Sequence, residues 1–265
     1  MNIKQHIPNS MTCANLFCGC AGVKFAFEGA LIIAAYLIVL AAVFDFFDGF
    51  AARLLNAKSP IGKDLDSLAD MVTFGLLPGV ILFKMMTVAI AIHGWQGPFD
   101  AAYLPYFAFV LTIFSALRLA KFNIDIRQSE SFIGVPTPAI TLLVASFPMI
   151  MNNPDIHNDG SMISAASNLN RAINYAPNFA DNLLLNIYVL TSLTVLFSYL
   201  LIAELPLFAM KFKNFGWPDN KIRYVFIISC LVLIIIFKFA AVPLIIIFYV
   251  ALSVVNNLSK TKTQS

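Results

Sequence analysis

Residues 30–54 of the sequence, ALIIAAYLIVLAAVFDFFDGFAARL, join a long apolar run to a short segment that contains two aspartates. No charged residue precedes Asp45 in this stretch. About 20 predominantly apolar residues are enough for a helix to cross a bilayer. Asp45 and Asp48 are three positions apart and therefore share one helix face. The stretch predicts a transmembrane helix that ends in a pair of carboxylates.

The composition of the whole chain is typical of a membrane protein. Of its 265 residues, 60% are apolar and 12% are charged, and the mean hydropathy is +0.82. Because about 25% of the residues of a soluble domain are charged, these values exclude an ordinary soluble protein and a disordered one. The 17 Lys and Arg residues are scattered singly, so we expect no nucleic-acid partner.

Apolar runs elsewhere in the chain predict further spans, and together they indicate an all-α, polytopic integral membrane helix bundle. We expect residues 1–265 to form a single membrane-embedded domain with about eight transmembrane helices. Two longer polar stretches, 152–182 and 204–223, connect some of the spans. The eight predicted spans are about 11–27, 30–54, 66–92, 102–120, 134–151, 183–203, 224–239 and 242–257.

The distribution of basic residues predicts the orientation of the bundle. With the N-terminus in the cytoplasm, most Lys and Arg residues fall on the cytoplasmic side, as the positive-inside rule requires. Both termini and the aspartate-bearing end of residues 30–54 are then cytoplasmic.

Acidic residues concentrate between positions 45 and 70. Asp66 and Asp70 are four positions apart and form a second pair on one helix face, whereas Asp64 fits neither pair and is interpreted as a capping or surface residue. If the chain reverses between Asp48 and Asp66, two antiparallel helix ends direct four carboxylates into one cavity.

Four neighbouring carboxylates repel one another unless cations compensate them. Ligand sets made only of oxygen favour Mg²⁺ or Mn²⁺, and we expect two such ions, which together can clamp a reacting phosphoryl group. Arg53 lies near Asp48 and offers a planar cation for phosphate. Gly49 leaves room for a ligand, although small residues serve close helix packing equally well.

The residues of this segment resemble the signature of the CDP-alcohol phosphotransferase family. The resemblance implies a membrane enzyme with a six-helix core, extra C-terminal helices at about 204–257 and a homodimeric assembly. Such enzymes transfer a phosphate-linked group from a CDP-activated donor to an alcohol and release CMP. The matching positions are Asp45, Asp48, Gly49, Ala52, Arg53, Gly62, Asp66 and Asp70.

The same resemblance implies roles for individual residues. Asp70 is implied as the general base and also as a metal ligand. The implied metal ligands are Asp45, Asp48, Asp66 and Asp70, and the implied contacts to the CDP portion are Gly49, Arg53, Gly62, Thr12 and Asn15.

Flanking segments narrow the resemblance to the bacterial members that use CDP-diacylglycerol and L-serine, which implies the inner membrane as the location. These segments are Ile7–Asn9 with Thr12 and Asn15, then 65–74, 118–123 and 134–138. Serine carries a carboxylate, and a cation must bind it.

Arg118, Lys121 and Asn123 are the candidates for binding the acceptor. For the two cations, a purely topological role is the alternative, and Asn123 could equally cap its helix. Glycerol 3-phosphate, inositol or choline remain alternative acceptors. A transporter with an aspartate relay is a less favoured class, because its carboxylates should lie near the bilayer midplane on separated helices.

Overall fold

The computed structural model describes residues 3–57, 61–125, 132–151, 179–207 and 216–264. The described chain is almost entirely helical. Its α-helices are α1 (Ile3–Phe27), α2 (Leu31–Leu54), α3 (Gly62–Asp70), α4 (Leu77–His93), α5 (Phe109–Ile124), α6 (Thr137–Ile150), α7 (Phe179–Leu184), α8 (Ile187–Ile202), α9 (Trp217–Phe237) and α10 (Ala241–Gln264).

Three short helical segments and one small β-ladder complete the described chain. A π-helical turn, Met71–Leu76, joins α3 to α4, and the 3₁₀ turns Leu104–Ala108 and Lys238–Ala240 precede α5 and α10. Two strands of two residues each, β1 (Phe132–Ile133) and β2 (Pro206–Leu207), pair antiparallel.

The predicted all-α polytopic fold is confirmed. A helix lies at each of the eight predicted spans. Four described segments are long and apolar enough to cross a membrane, and α6 and α8 are shorter apolar helices. The four segments are Leu31–Leu54, Gly62–His93, Leu104–Ile124 and Asn220–Val255.

Some predicted span limits differ from the helix limits. Helix α1 begins at Ile3 rather than near position 11, and α9 already ends at Phe237. Lys238 has a positive φ of 51° and begins the short turn between α9 and α10. Lys238 therefore marks the junction between α9 and α10.

The segment from α3 to α4 is the centre of the bundle. In the most apolar part of Gly62–His93, 56% of the residues are buried inside the bundle, whereas in the most apolar part of Asn220–Val255 only 6% are. Leu77, Ile81 and Met85 of α4 are fully buried and pack with Ile38 of α2 and Ile140 of α6. The C-terminal hairpin α9–α10 is peripheral and exposes apolar side chains, as a lipid-facing element does.

Small residues let the helices approach one another closely. Ala34 and Ala35 of α2 have no exposed surface, and a Cβ atom added at Gly19 of α1 would collide with Thr73. Within lipid, such close approach replaces the hydrophobic effect as the source of helix association. The packing brings α1 against the junction of α3 and α4, next to Asp70 at the end of α3.

The loop between β1 and α6 is anchored on the C-terminal end of α8. The backbone N–H of Gly134 donates to the carbonyl of Leu205, and that of Val135 donates to Leu200. Gly134 has a φ of +74°, and a Cβ atom there would lie 2.8 Å from the carbonyl oxygen of Leu201. Glycine is required at this position for both its backbone conformation and its lack of a side chain.

We predict that Gly134→Ala destabilises the fold more than Gly29→Ala does. Gly29 also has a positive φ, +87°, but a Cβ atom there meets nothing within 4 Å. Gly29→Ala therefore costs only the left-handed strain, about 1–2 kcal/mol. Gly134→Ala adds overpacking and should cost about 1–3 kcal/mol more. Denaturant unfolding of both purified variants in detergent measures the difference; equal costs would contradict this account of the loop.

Candidate active site

Four aspartates from α2 and α3 form one group, here called the aspartate cluster: Asp45, Asp48, Asp66 and Asp70. Carboxylate oxygens of Asp45, Asp48 and Asp66 lie within 4.8 Å of one another. The carboxyl group of Asp70 lies close enough to that of Asp45 to interact with it electrostatically. The two pairs of aspartates therefore converge, as the sequence predicts. Asp64 is exposed in the first turn of α3, as expected for a surface residue.

The end of α2 is fixed by its C-cap. Asn56 adopts a left-handed conformation with a φ of 47°. Its N–H donates to the carbonyl of Arg53, and the N–H of Ala57 donates to that of Ala52. This pair of bonds is the Schellman arrangement, which ends a helix sharply. It stops α2 two turns after Asp48 and leaves Arg53 in the last turn.

Helix α1 supplies two hydrogen-bond donors to the aspartate cluster. The Thr12 hydroxyl lies 2.6 Å from Oδ2 of Asp48, and Nδ2 of Asn15 lies 3.3 Å from Oδ1 of Asp70. Both donors are buried, with exposed fractions of 4% for Thr12 and zero for Asn15. Hydrogen bonds to a carboxylate orient it and favour its charged form. These contacts hold one carboxylate from each pair in place.

A cavity of about 620 Å³ opens beside the cluster. Its wall includes Asp48 and Asp66, so two of the four carboxylates border this space. Of the residues predicted to contact CDP, four line it: Thr12, Gly49, Arg53 and Gly62. The fifth, Asn15, is not part of the wall and instead contacts Asp70.

Three polar wall residues were not among the sequence candidates: Asn9, Lys63 and Asn56, the left-handed residue just after α2. Asn9 lies one turn before Thr12 on α1, and Lys63 directly follows Gly62. Lys63 also donates from Nζ to the backbone carbonyl of Asn123 at 2.9 Å. The position of Lys63 directly after Gly62 is the sequence signal that could have identified it. From the sequence alone, this lysine counts only among the basic residues that predict the orientation of the bundle in the membrane.

Arg118 is buried in the bundle near the cluster. Only 7% of its surface is exposed, and its Nε donates to the carbonyl oxygen of Val135 at 2.8 Å. Asp70 is its electrostatic partner. Neither terminal nitrogen of the guanidinium group forms a hydrogen bond with the described part of the chain. A buried guanidinium with unused donors is suited to bind a planar anion such as a carboxylate.

The other two acceptor candidates have different surroundings. Lys121 is exposed and forms no ion pair with any residue in the described ranges. Asn123 donates from Nδ2 to the Ser67 hydroxyl at 2.8 Å, which ties the end of α5 to α3 beside Asp66. Acceptor binding by Lys121 and Asn123 stays a prediction, whereas Asn123 has a clear structural contact.

The aspartate cluster fits divalent cations. No Lys or Arg of the described chain forms an ion pair with any of its four carboxylates. Half-buried carboxylates at this spacing need positive charge between them. The ligand set is entirely oxygen, which suits Mg²⁺ or Mn²⁺ rather than Zn²⁺. These four residues would hold the ions.

Comparison with known proteins agrees with this site. The model of the CDP-alcohol phosphatidyltransferase family matches residues 5–173, which include the whole cluster and the cavity wall. The chain belongs to this family. The resemblance inferred from the signature residues is therefore confirmed. Helices α7 to α10 lie after residues 5–173, the part of this chain that the family model matches.

The chain is similar to proteins named CDP-diacylglycerol–serine O-phosphatidyltransferase in several organisms. The Helicobacter pylori J99 protein is 33% identical over 147 residues, which cover 55% of this chain and 58% of the relative. The Bacillus subtilis protein is 35% identical over 54% of this chain and 76% of the relative. The Saccharomyces cerevisiae protein is 38% identical over 120 residues, which cover 42% of this chain and 39% of the relative. The alignment thus spans little more than half of the Helicobacter protein.

We predict that Mn²⁺ stabilises the protein through the aspartate cluster. A ligand that binds only the folded state at 100 times its Kd adds about 2.7 kcal/mol, so Mn²⁺ should raise the Tm of the purified protein in detergent. Asp45→Asn and Asp66→Asn should abolish most of this rise. Asp64→Asn is the matched control, because Asp64 is exposed on the same helix as Asp66. An unchanged Mn²⁺ response in Asp66→Asn would exclude the cluster as the metal site.

Proposed function

We propose that this protein transfers the phosphatidyl group of CDP-diacylglycerol to the hydroxyl of L-serine and releases CMP. The observation that carries the proposal is an aspartate cluster that borders, through Asp48 and Asp66, a cavity whose wall also contains Arg53. That combination of carboxylates for divalent cations and a cation for phosphate is suited to phosphoryl transfer. The names of the similar proteins support serine as the acceptor.

Binding of the nucleotide donor is assigned to the cavity beside α2. Arg53 and Lys63 supply positive charge to its wall, and Gly49 opens space on α2, since a Cβ atom there meets nothing within 4 Å. The cavity volume of about 620 Å³ lies within the range of ligand pockets, about 300–1,000 Å³. The acyl chains of the lipid donor would remain in the bilayer.

Binding of the acceptor is assigned to the neighbourhood of Asp70. The terminal nitrogens of Arg118 are available for the serine carboxylate, because the guanidinium uses only Nε, toward Val135. Its burial makes a charge-assisted bond stronger than the same bond in water. Acceptors without a carboxylate, such as choline or inositol, would offer no anion to the terminal nitrogens of this buried guanidinium group.

The reaction we propose is a single in-line displacement. The serine hydroxyl oxygen bonds to the phosphorus that carries diacylglycerol, and the bond from this phosphorus to the CMP oxygen breaks. Asp70 takes the hydroxyl proton, in an orientation set by its contact with Asn15. Bound divalent cations would neutralise the charge of the phosphate groups. The family resemblance implies two such ions. Arg53 holds the phosphates of the nucleotide.

The same proposal includes a location and an assembly. The protein is a membrane protein, and we place it in the bacterial inner membrane with the cavity and both termini on the cytoplasmic side. Support comes from the excess of Lys and Arg on that side of the predicted spans. A homodimer follows from the family resemblance alone.

We predict that CMP release from CDP-diacylglycerol requires both L-serine and Mn²⁺ or Mg²⁺. The assay uses purified protein in detergent and compares L-serine, glycerol 3-phosphate, inositol and choline. Asp70→Asn should abolish release because it removes the proton acceptor, whereas Asp64→Asn should not. Release with a different alcohol would overturn the acceptor assignment, and no release with any alcohol would overturn the proposed function.

Arg118→Lys separates carboxylate recognition from simple charge. Lysine keeps the charge but loses the planar fork, so we expect the KM for L-serine to rise by about tenfold, equivalent to about 1.4 kcal/mol, while the KM for CDP-diacylglycerol stays unchanged. Arg223→Lys on α9 is the matched control. A rise in the KM for CDP-diacylglycerol instead would place Arg118 at the donor.

A further inference from the structure

The π-helical turn Met71–Leu76, here called the π-turn, begins immediately after Asp70. The N–H of Leu77 donates to the carbonyl of Val72, five residues earlier, instead of four. Such a turn changes the direction in which side chains before and after it point, and it is frequent at functional sites. The path of the chain here therefore decides how Asp70 faces the rest of the cluster.

Two threonines from neighbouring helices donate hydrogen bonds to carbonyl groups of the π-turn. The hydroxyl of Thr141 on α6 lies 2.6 Å from the carbonyl oxygen of Phe74, closer than the 2.9 Å to that of Thr137 in its own helix. The hydroxyl of Thr112 on α5 lies 3.0 Å from the carbonyl oxygen of Gly75. The π-turn is thus tied to two further helices through its backbone.

A third threonine ties the π-turn to α1. The hydroxyl of Thr73 lies 3.2 Å from the backbone carbonyl oxygen of Asn15, the residue whose side chain contacts Asp70. Gly19 makes this contact possible, because any side chain at that position would collide with Thr73. The π-turn and Asp70 are consequently fixed to the same turn of α1.

The hydrogen bonds from the threonine hydroxyls to the π-turn are needed because the turn is buried. Thr73, Phe74 and Thr141 have no exposed surface, so water cannot reach the carbonyl group of Phe74, and the residue four positions later, Pro78, has no N–H to donate to it. An unsatisfied backbone group is costly inside a membrane protein. A threonine commonly bonds within its own helix, as Thr194 of α8 does with Leu190 at 2.8 Å. Thr112 is directed across helices instead, and Thr141 lies closer to the carbonyl oxygen of Phe74 on the π-turn than to that of Thr137 in its own helix.

We propose that Thr112 and Thr141 are positioning residues that hold the π-turn and thereby aim Asp70 at the aspartate cluster. Neither lines the cavity beside the cluster. They act through the backbone of Phe74 and Gly75, and the loss of either hydroxyl lets Asp70 turn away from Asp45. The effect on catalysis rests on the proposed function, whereas the effect on metal binding does not.

The test compares Thr141→Val and Thr112→Val with Thr141→Ser in CMP release. Valine has the shape of threonine without the hydroxyl. We expect each valine variant to lower kcat by about tenfold, because small misplacement of a catalytic group is costly. The KM for both substrates should stay within about twofold, and half-maximal activity should require more Mn²⁺. Thr141→Ser should restore kcat to near the original value.

Thr194→Val is the matched control, since Thr194, like Thr141, has no exposed surface, but its hydroxyl bonds to Leu190 of its own helix and not to the π-turn. It should leave kcat and the Mn²⁺ requirement unchanged. An unchanged kcat in both Thr141→Val and Thr112→Val would overturn the proposal, as would a failure of Thr141→Ser to restore it.

The rise in Tm with Mn²⁺ supplies a readout that is independent of the acceptor. It should be smaller in Thr141→Val and Thr112→Val than in Thr194→Val. If the original protein releases no CMP with serine, the proposed function fails, while this comparison still decides whether the threonines position the cluster. An equal Mn²⁺ response in all three variants overturns the positioning role.

Discussion

Repulsion between the four carboxylates is the constraint on which the arrangement of the bundle depends. Two like charges about 4 Å apart interact unfavourably by about 4 kcal/mol at an effective dielectric constant of about 20. Carboxylate oxygens of Asp45, Asp48 and Asp66 lie within 4.8 Å of one another, and no ion pair to the described chain offsets their charge. Packing of α2 and α3 against α1 must therefore hold these groups together until cations bind. Donors from Thr12 and Asn15 reduce the cost at Asp48 and Asp70.

The same constraint contributes to the low hydropathy of α1, the least apolar of the long helices around the site. It is absent from the described segments that are apolar enough to cross a membrane, although it has 25 residues. One face of α1 has to present Thr12 and Asn15 to the aspartates, and another has to approach the π-turn closely at Gly19. Asn15 adds to the polar character of α1, and Lys4, Gln5, His6 and Lys24 add more. The helix thus combines a polar N-terminal turn with a face that serves the site.

Much of the site follows from helix periodicity. Spacings of three and four residues placed Asp45 with Asp48 and Asp66 with Asp70, and apolar run length located the helices within several residues. The π-turn was not predicted, although Pro78, which has no N–H for the carbonyl group of Phe74, stands four residues after it. The contact of Arg118 with Val135 was hidden, since a backbone carbonyl has no residue-specific signal. Both of these features involve backbone groups, whereas the aspartate pairs were predicted from side-chain identity and spacing.

Burial distinguishes the two cations that sequence spacing placed together. Arg118 and Lys121 are three positions apart on α5, yet Arg118 is 7% exposed and Lys121 is exposed. The carbonyl of Val135 fixes Arg118, and the loop that carries Val135 is held by carbonyl groups at the end of α8. Helix α8 lies outside residues 5–173, the part that matches the family model. The described part of the C-terminal region thus supports the site through backbone carbonyl groups: they hold the loop whose Val135 orients Arg118, and Gly134 is the residue that permits this contact.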